Sequence, residues 1–448
     1  MHNQKEIKTY KTTNIVVNAN DDLYAYCEQM ASAAKLFSNA VTFRCRQLFS
    51  AYFKKYTNLT ENEQQVINEF AIIGVNFPSD NKHKILPNYY EFDKMFKQTQ
   101  NPDYFNVLPA QTTQQTIKMV VESFKAYSKS LKAYYKDTSK FTGKPKLPGY
   151  IKTDITTFTI TNQDAYVKDD NTLKLPKTKL TVNLGKLNIN CLIEVIIKPF
   201  YDGYKISIVE ELETIQPKQL DATRVLGLDL GVTNIVSTSN NCGLVPFVIN
   251  GNGLKAYNQW YNKTKAKLQS QLPQGKYTSH SIDILNKHHY NRTNDFYNKV
   301  ASYIIHYCID NNIGTIIIGK NTQWKQNINI GHKNNQTFCF IAHSTLIDKI
   351  KSMSDTYGIA VIVTEESYTS KASFLDNDDV PTYDNNNTEH KFSGRRKYRG
   401  LYQSKDGYVL NADINGASNI IKKGIQTAFN KLNNFAYLYQ SVNKIQIA

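Results

Sequence analysis

The stretch Val225-Leu226-Gly227-Leu228-Asp229-Leu230-Gly231-Val232-Thr233-Asn234 decides the fold of the second half of this chain. It begins as a short apolar run that is closed by Gly231, which is the pattern of a buried β-strand that ends in a turn. Asp229 is a lone carboxylate inside that run. Burying an unpaired carboxylate is costly, so such a residue usually has a metal ion or another cation beside it.

Strands with this pattern occur in two families of known chemistry. In RNase H-like nucleases the aspartate binds catalytic Mg²⁺, and in actin- and chaperone-type ATPases a similar turn cradles phosphate. The third interpretation is an ordinary sheet strand whose Asp229 bonds to a neighbouring loop. Short motifs match often by chance, so this stretch alone leaves all three interpretations open.

The composition points to a polyanionic partner. Among 448 residues, 54 Lys and Arg stand against 38 Asp and Glu, which gives a net charge of +16. Nucleic acid is the commonest partner of so basic a chain, and the 30 tyrosines offer rings that can stack on bases. A well-solvated basic surface is the alternative explanation of the charge.

The cysteines and the hydropathy indicate the compartment. None of the six cysteines forms a Cys-x-x-Cys pair, so no zinc ribbon is predicted, and their scatter through apolar stretches suggests buried thiols in a reducing compartment. The N-terminus does not resemble a signal peptide, and no apolar run is long enough to span a membrane. We therefore expect an intracellular protein of the cytoplasm, in a bacterial cell, without a membrane partner.

The first half of the chain is predicted to combine helices with a small β-domain. Apolar residues recur at helical spacing from Leu23 to Phe53, near 61–72 and from about Gln111 to Lys136. Residues 155–212 instead alternate or run β-branched, which predicts an antiparallel β-domain that shares a barrel with a strand at 7–18.

Lysines cluster on one face of the third of these helices and in the segment that follows. Those on the helix are three or four residues apart, and like charges at that spacing on a helix repel by about 0.2–0.5 kcal/mol per pair. A bound phosphate backbone would remove this cost. We therefore treat them as candidate nucleic-acid contacts, although a solvated lysine face explains them equally well. The candidates are Lys125, Lys129, Lys132, Lys136, Lys144 and Lys146.

The second half is predicted to be a layered α/β domain. Residues 213–224 read as a linker, and the Asn- and Asp-rich segment 376–388 reads as a mobile loop. Strands and helices alternate from the end of the linker to the end of the chain, apart from the 376–388 segment. The strands are expected at 225–230, 234–238, 245–249, 313–318 and 359–364, and the helices near 254–271, 281–311, 344–357 and 413–430.

Acidic residues stand at the ends of three of these elements. Asp229 lies on the first strand, Glu365 and Glu366 close the strand at 359–364, and Asp413 lies where a helix begins. Carboxylates brought together from three elements repel unless cations bind between them. Two Mg²⁺ ions roughly 4 Å apart would neutralise them and hold both oxygens of an in-line phosphodiester displacement.

The stretches around these acids resemble the RuvC-type blocks of TnpB, the RNA-guided nuclease family of insertion sequences, which is similar to the smaller type V CRISPR effectors. Residues 143–148 (Gly-Lys-Pro-Lys-Leu-Pro) and 319–326 also resemble family stretches. The matches follow the expected order over most of the chain. The blocks are Gly227-Leu228-Asp229-Leu230-Gly231-Val232-Thr233-Asn234, Glu365-Glu366-Ser367-Tyr368-Thr369-Ser370-Lys371 and Asn411-Ala412-Asp413-Ile414-Asn415-Gly416-Ala417-Ser418-Asn419-Ile420.

This resemblance implies a multidomain α/β fold. It places an N-terminal wedge β-barrel at 1–20 and 150–212, a helical recognition insert at 21–149 and, after the linker, an RNase H-like (RuvC) α/β domain at 225–448. It also implies a guide RNA as a ribonucleoprotein component, a double-stranded DNA target with a short motif read beside it, and cleavage that depends on two Mg²⁺ ions.

The second catalytic carboxylate departs from the family pattern. Many members carry a Glu at the end of the strand that here ends in Thr315-Ile316-Ile317-Ile318, but this chain has Gly319 there. The family's eukaryotic relatives place a Glu three residues before a Thr-Ser-Lys, which corresponds to Glu366. Strand alternation points only one of two adjacent residues inward, so we expect Glu366 to join Asp229 and Asp413 as a metal ligand, with Glu365 as the second choice.

The family's zinc module is also missing. Ala372-Ser373-Phe374-Leu375-Asp376 replaces the expected cysteines, so the 366–410 insertion is expected to lack zinc ligands and the protein to hold no structural zinc. A basic loop with Arg395, Arg396 and Arg399 takes the place of the second pair and could hold a DNA strand; a disordered loop explains it as well. Arg292, on the helix at 281–311, is a weaker candidate for a contact with the guide–target duplex, although a solvated helix face explains it as well, and Lys325 is a further nucleic-acid candidate. The cluster His288-His289-Tyr290 receives no role.

Three other interpretations compete with an RNA-guided DNA endonuclease of RuvC type. If neither glutamate reaches the metal, the chain would be a nuclease-inactive, RNA-guided DNA-binding regulator. An actin-like ATPase built on the Asp229 turn needs two such subdomains, which the length after the turn makes improbable. A plain RNA-binding protein would explain the charge but would leave the three acidic positions unexplained.

Overall fold

The computed structural model describes residues 9–76, 86–212, 219–320, 341–383, 390–398, 400–432 and 434–447. The chain divides into two compact units, Met1–Glu213 and Thr214–Ala448. None of the helices in the described part is both long and apolar enough to cross a membrane. The architecture is a mixed α/β arrangement, as the sequence predicts.

The first unit contains four α-helices among its described residues: α1 (Leu23–Ala51), α2 (Glu61–Ala71), α3 (Tyr89–Gln98) and α4 (Ala110–Lys136). Helix α3 was not predicted. It is only 10 residues long, and it forms because Asn88 and Glu91 make a capping box while Phe92, Met95 and Phe96 enter the core. The same core takes the apolar faces of α1 and α4.

The first unit also contains two antiparallel sheets. The N-terminal strand lies beside β7 along its whole length, from Thr9 opposite Leu212 to Val17 opposite Tyr204, so it shares a sheet with the later β-region. The first sheet has the order β1-β7-β6-β2 and the second β3-β4-β5. The strands are β1 (Thr9–Val17), β2 (Phe158–Thr161), β3 (Tyr166–Val167), β4 (Thr172–Lys174), β5 (Thr181–Asn183), β6 (Leu192–Phe200) and β7 (Gly203–Leu212).

The second unit is built on a six-stranded sheet of order β12-β11-β8-β9-β10-β16. Strands β8, β11 and β12 run parallel, whereas β8, β9 and β10 form an antiparallel meander. The strands are β8 (Asp221–Asp229), β9 (Asn234–Asn240), β10 (Phe247–Asn250), β11 (Ile313–Gly319), β12 (Ala360–Thr364) and β16 (Asn443–Ile445). The helices are α5 (Asn252–Ser270), α6 (His280–Asp310), α7 (His343–Tyr357) and α8 (Ala412–Gly424).

Both faces of this sheet are covered, because residues along β8 and β11 alternate between them. On one face Leu226, Leu228 and Ile316 pack in a cluster with residues of α6 and α7. On the other face Val225 and Ile317 pack against Ile420 and Ile421 of α8. The buried run that begins at Val225 is therefore part of the central strand β8 of the second unit.

Two boundaries differ from the sequence prediction. Strand β8 begins at Asp221, inside the stretch interpreted as a linker, because the β8–β11 ladder reaches Asp221 opposite Ile313. Helix α8 ends at Gly424 rather than near 430, because the next residue, Ile425, leaves the helical conformation at φ −140° and ψ 97°.

A small three-stranded sheet, β13-β14-β15, occupies the 366–410 insertion. Its strands are β13 (Arg395–Tyr398), β14 (Leu401–Gln403) and β15 (Val409–Asn411), so part of the predicted basic loop is a strand. Asp378 joins two segments of the insertion, since its carboxylate accepts hydrogen bonds from the backbone N–H of Ser373 (2.8 Å) and of Ser393 (2.9 Å) and from the Ser393 hydroxyl (2.6 Å).

The predicted mobile loop at 376–388 is therefore wrong for its first part. Asp376 accepts a hydrogen bond from the backbone N–H of Lys405 (2.8 Å), which adds a further link between the same segments. Residues 384–389 lie outside the described part of the chain. The sequence signal misled because acidic and amide side chains are typical both of mobile loops and of side-chain-to-backbone links.

We expect Asp378→Asn to destabilise the second unit. The amide replaces a charged acceptor with a group that donates toward backbone N–H groups, which costs about 1.5–3 kcal/mol for each charge-assisted bond lost. Thermal unfolding should show a midpoint lower by about 5 °C or more. Asp379→Asn, one residue along and exposed, is the matched control. Equal midpoints for the two variants would contradict the role of Asp378, and a zinc chelator should leave the wild-type midpoint unchanged.

Candidate active site

Asp229 ends the central strand β8, where the chain turns toward β9. The turn is fixed by the backbone N–H of Gly231, which donates to the Ile235 carbonyl (3.4 Å), and by the buried ring of His343, whose Nε2 lies 3.0 Å from the Gly231 carbonyl. Strand pairing on both sides therefore holds the Asp229 carboxylate at one edge of the sheet.

Asp413 enters the same edge from the first turn of α8. Asn411 caps this helix, because its Oδ1 accepts hydrogen bonds from the backbone N–H groups of Asp413 (2.9 Å) and Ile414 (3.4 Å). Asn234 of the opening stretch donates from Nδ2 to Asp413 Oδ2 (2.8 Å). A negatively charged group in the first turn of a helix interacts favourably with the helix dipole.

Gly416 lets α8 pass directly against Asp229. A Cβ atom at this position would lie 2.7 Å from Asp229 Oδ2, a separation that real Cβ atoms do not show. A side chain here would push the helix and the strand apart. The Asn-Gly-Ala part of the third block is therefore explained by the approach of α8 to the aspartate.

Glu365 and Glu366 follow β12, but they have different surroundings. Burial acts to raise the pKa of Glu365, yet hydrogen bonds from Lys423 and Ser367 outweigh it and hold this pKa below its ordinary value. Lys423 is almost fully buried and also donates to the carbonyls of Ser367 (3.1 Å) and Pro381 (2.8 Å). Glu365 is thus engaged in holding the turn.

Glu366 instead faces the aspartate. Burial, followed by the charges of Asp229 and Glu365, raises the pKa of Glu366 to about 8. A Cβ atom built on Gly319 would lie 3.1 Å from Glu366 Oε2. The Glu366 carboxylate therefore occupies the space next to the position where the sequence resemblance led us to look for a glutamate.

The site concentrates negative charge. Burial and the charge of Asp413 raise the pKa of Asp229 to about 7, while Arg396 acts in the opposite direction. Asp229 thus interacts with Asp413, and Glu366 with Asp229. Within the described residues, no three His, Cys, Asp or Glu side chains lie close enough together to share one metal ion.

Two buried amides that the sequence analysis passed over fix the segment after Glu366. Asn415 donates to the Ala372 carbonyl (2.8 Å) and accepts from the Phe374 N–H (3.0 Å). Asn419 donates to the carbonyls of Thr369 (2.8 Å) and Ala372 (2.7 Å). Both side chains are fully buried and lie one helical turn apart on α8, a spacing that is visible in the sequence.

The predicted basic residues fall into three groups. Arg396, on β13, is close enough to Asp229 to lower its pKa. The third group, Lys325 and Arg399, lies outside the described part of the chain. The second group is exposed, and none of its members is observed, within the described residues, to contact Asp229, Glu366 or Asp413. It comprises Lys125, Lys129, Lys132, Lys136, Lys144, Lys146, Arg292 and Arg395.

Two family models match parts of the chain. Residues 207–325 match OrfB_IS605, described as "Probable transposase", and residues 343–420 match "Cas12f1-like, TNB domain". These matches confirm the resemblance to TnpB and to compact type V effectors that the sequence blocks indicated. No curated protein matches the chain.

Several solved structures are similar to the chain at low sequence identity. A Cas12f1–sgRNA–target DNA complex is 15% identical over 93% of this chain and 100% of its own, with a TM-score of 0.33. CasPhi-2 (Cas12j) bound to crRNA is 10% identical over 98% and 99%, with a TM-score of 0.42. A mini-RNA-guided endonuclease, CRISPR-Cas_phi3, is 10% identical over 98% and 94%, with a TM-score of 0.43.

We expect Asp229→Asn to stabilise the metal-free protein. Because the folded-state pKa of Asp229 is raised to about 7, the wild type loses stability as the pH rises from about 4 toward 8. The neutral amide removes this loss. The free energy of unfolding should exceed the wild-type value by about 4 kcal/mol near pH 8 and by little near pH 4, as measured by denaturation in EDTA.

Asp348→Asn, an exposed replacement in the middle of α7, is the control and should behave as the wild type at both pH values. A lower stability of the Asp229→Asn protein near pH 8 would contradict the argument that like charges are confined at this site.

Proposed function

We propose that this protein is an RNA-guided DNA endonuclease that cleaves phosphodiester bonds with the carboxylates of Asp229, Glu366 and Asp413. The observation that carries the proposal is that Asp229, at the end of β8, interacts with Asp413 of α8 on one hand and with Glu366 after β12 on the other, although the three come from segments far apart in the sequence. Charge repulsion opposes such an arrangement, so a site that keeps it is suited to cations.

The residues at this edge of the sheet suit divalent cations. All three side chains offer carboxylate oxygens, the donors that Mg²⁺ prefers, and Gly416 allows α8 to bring Asp413 to the same edge as Asp229. We propose two Mg²⁺ ions as cofactors. Such ions supply Lewis acidity and a nucleophilic water when they are bound.

The remaining residues position these groups. Asn234 orients Asp413, and Lys423 holds Glu365 aside so that Glu366 is the glutamate directed at Asp229. Arg396 brings a guanidinium near the carboxylates, where it can bind a phosphate oxygen of the DNA backbone. These roles make Glu366, and not Glu365, the proposed third ligand.

The finer domain assignment belongs to the same proposal. The second unit would be the RNase H-like (RuvC) domain, and Asp229 at the end of its central strand supports this. The first unit would comprise the wedge and the helical recognition insert. Its exposed lysines on α4 and in the following segment would contact the guide RNA or its duplex with target DNA. The relatives described as RNA and DNA complexes support these partners. The insertion, clasped by Asp378, would hold no zinc.

The test is cleavage of a target plasmid by the protein purified with its bound RNA, in Mg²⁺ and in EDTA. Asp229→Ala, Glu366→Gln and Asp413→Asn should each lower the rate about 1,000-fold or more, because each removes several kcal/mol of metal binding. Glu365→Gln should lower it less than about tenfold, and Asp348→Asn should not change it.

Each alternative gives a different result. Full activity of Asp229→Ala would overturn the assignment of a RuvC nuclease. An inactive Glu365→Gln together with an active Glu366→Gln would reverse the choice of glutamate. A wild-type protein that binds the target but never cuts it would be the nuclease-inactive regulator.

Arg396→Gln should lower cleavage by about tenfold, since one charge-assisted phosphate contact is lost. Arg395 is the matched control, because adjacent residues of β13 point to opposite faces of the small sheet and only Arg396 interacts with Asp229. The rates are measured on the same plasmid at one salt concentration. Equal losses in the two variants would show that general basicity, and not the position of Arg396, is what matters.

A further inference from the structure

Helices α5 and α6 are joined by a group of nearly parallel rings. Tyr261 stacks on His289 with centroids 3.8 Å apart and planes at 22°. Tyr257 lies 5.6 Å from the same imidazole at 14°, and Trp260 lies 5.5 Å from Tyr257 at 21°. We refer to Tyr257, Trp260, Tyr261 and His289 as the ring stack. His289 belongs to the histidine cluster to which the sequence assigned no role.

The ring stack is held by polar contacts. His289 Nε2 lies 2.8 Å from the Oδ1 atom of buried Asn258, and the Tyr261 hydroxyl donates to Asn286 (2.7 Å). Burial, and then the nearby Lys265, lower the pKa of His289, which favours the neutral imidazole at physiological pH. The inner rings are therefore fixed before any ligand binds.

The outer end of the stack is open and carries a cation. The guanidinium of Arg292 lies over the Tyr257 ring at 4.3 Å, and Trp260 is 53% exposed. Packing between two helices does not require a half-exposed tryptophan beside an exposed arginine. Aromatic faces combined with arginine are the usual elements of a site for unpaired bases, where stacking provides affinity and the cation meets the phosphate.

A cleft of about 170 Å³ opens beside Tyr257 and Arg292. Leu254 and Phe296 give it apolar walls, and the amides of Asn250 and Gln446, 3.2 Å apart, give it a polar edge. This volume is below the roughly 300–1,000 Å³ of a pocket for a drug-sized ligand, so it suits one planar ring system. Asp295 at the rim forms an ion pair with Lys299 (2.9 Å), and this pair offsets the repulsion between the Asp295 carboxylate and a bound phosphate.

The cleft lies at the same edge of the sheet as the acidic residues. Strand β10 runs in the same direction as β8, and the backbone N–H of Gly251, just after β10, donates to the Thr233 carbonyl in the turn after Asp229 (2.8 Å). The ends of β8 and β10 are two strand spacings apart, roughly 10 Å. A stacked nucleotide advances about 3.4 Å along its strand, so this distance corresponds to about three nucleotides.

We propose that this cleft binds one unpaired base of the DNA strand that is cut, with the base against Tyr257 and its phosphate on Arg292, a few nucleotides from the scissile bond. A neighbouring base would stack on Trp260. The inference rests on the proposed endonuclease function, and it adds that this cleft holds the substrate strand by a base rather than by its backbone alone.

The test uses the full chain purified with its bound RNA and carrying Asp413→Asn, so that DNA stays uncut. Its probe is a short single-stranded DNA whose binding is followed by anisotropy. Trp260→Ala and Arg292→Gln should each raise Kd about tenfold, since one stacked base contributes about 1–3 kcal/mol. The matched controls are Tyr277→Ala and Lys276→Ala, an exposed aromatic and an exposed cation in the α5–α6 connection, and they should leave Kd unchanged.

A second measurement locates the base. 2-Aminopurine is placed at successive positions along the strand, and its emission should change on binding at only one or two of them, about two to four nucleotides from the bond that the protein with Asp413 intact cuts. This change should disappear in Trp260→Ala or Arg292→Gln. A uniform response along the strand, or tighter binding of RNA of the same sequence, would overturn the assignment, as would the absence of single-stranded DNA binding.

Cleavage by the protein with Asp413 intact separates the two proposals. If plasmid is cut and the Trp260 and Arg292 variants bind and cut like their controls, the base site is wrong while the endonuclease stands. If no DNA is cut but the 2-aminopurine response is present and depends on Arg292, the endonuclease is wrong while the base site stands.

Discussion

The close contact of helix α8 with the central sheet is the constraint on which the second unit depends. Ile420 and Ile421 bury one side of α8 against Val225 and Ile317, while the N-terminal turn brings Asp413 to the edge where β8 ends. At Gly416 the helix lies so near Asp229 that a methyl group would not fit. One packing interface thus forms part of the core and brings like charges together.

That arrangement has an energetic consequence. Burial and mutual repulsion disfavour the ionised forms of Asp229 and Glu366, so the metal-free site is destabilised when both are charged. Hydrogen bonds from neighbouring side chains keep the carboxylates from moving apart. Asn234 holds Asp413, and Lys423 holds Glu365. Asn415 and Asn419 hold the segment after Glu366. The fold therefore keeps like charges together at a cost in local stability.

Much of this could be predicted from the sequence. The strand at Asp229 was predictable because its apolar run has no polar interruption other than the aspartate, and helices α1 and α4 because their periodicity continues over many turns. The resemblance blocks identified Asp229 and Asp413, and the structure brings them together. The choice of Glu366 stays a prediction, and it rests on strand alternation and on the order of residues before Thr-Ser-Lys, both of which are local signals.

Other features depend on long-range partners and could not be predicted in the same way. Asp378 looked like part of a loop because its partner Ser393 is distant in sequence. Strand β8 extends back to Asp221 only because β11 continues alongside it. The ring stack could not be predicted because His289 stacks on rings of another helix, α5, which no local sequence pattern indicates.

Gly319 and Glu366 have a consequence for how such proteins are recognised. In the parallel pair β11–β12, Gly319 stands opposite Thr364, two positions before Glu366, so under the proposed function a carboxylate after one strand replaces one expected at the end of its neighbour. Evolution can therefore relocate a ligand laterally without rebuilding the site. A search that demands an acid at one fixed alignment column would discard such chains as inactive. A search that compares the positions of carboxylate oxygens at the edge of the sheet, whichever strand carries them, would retain such chains.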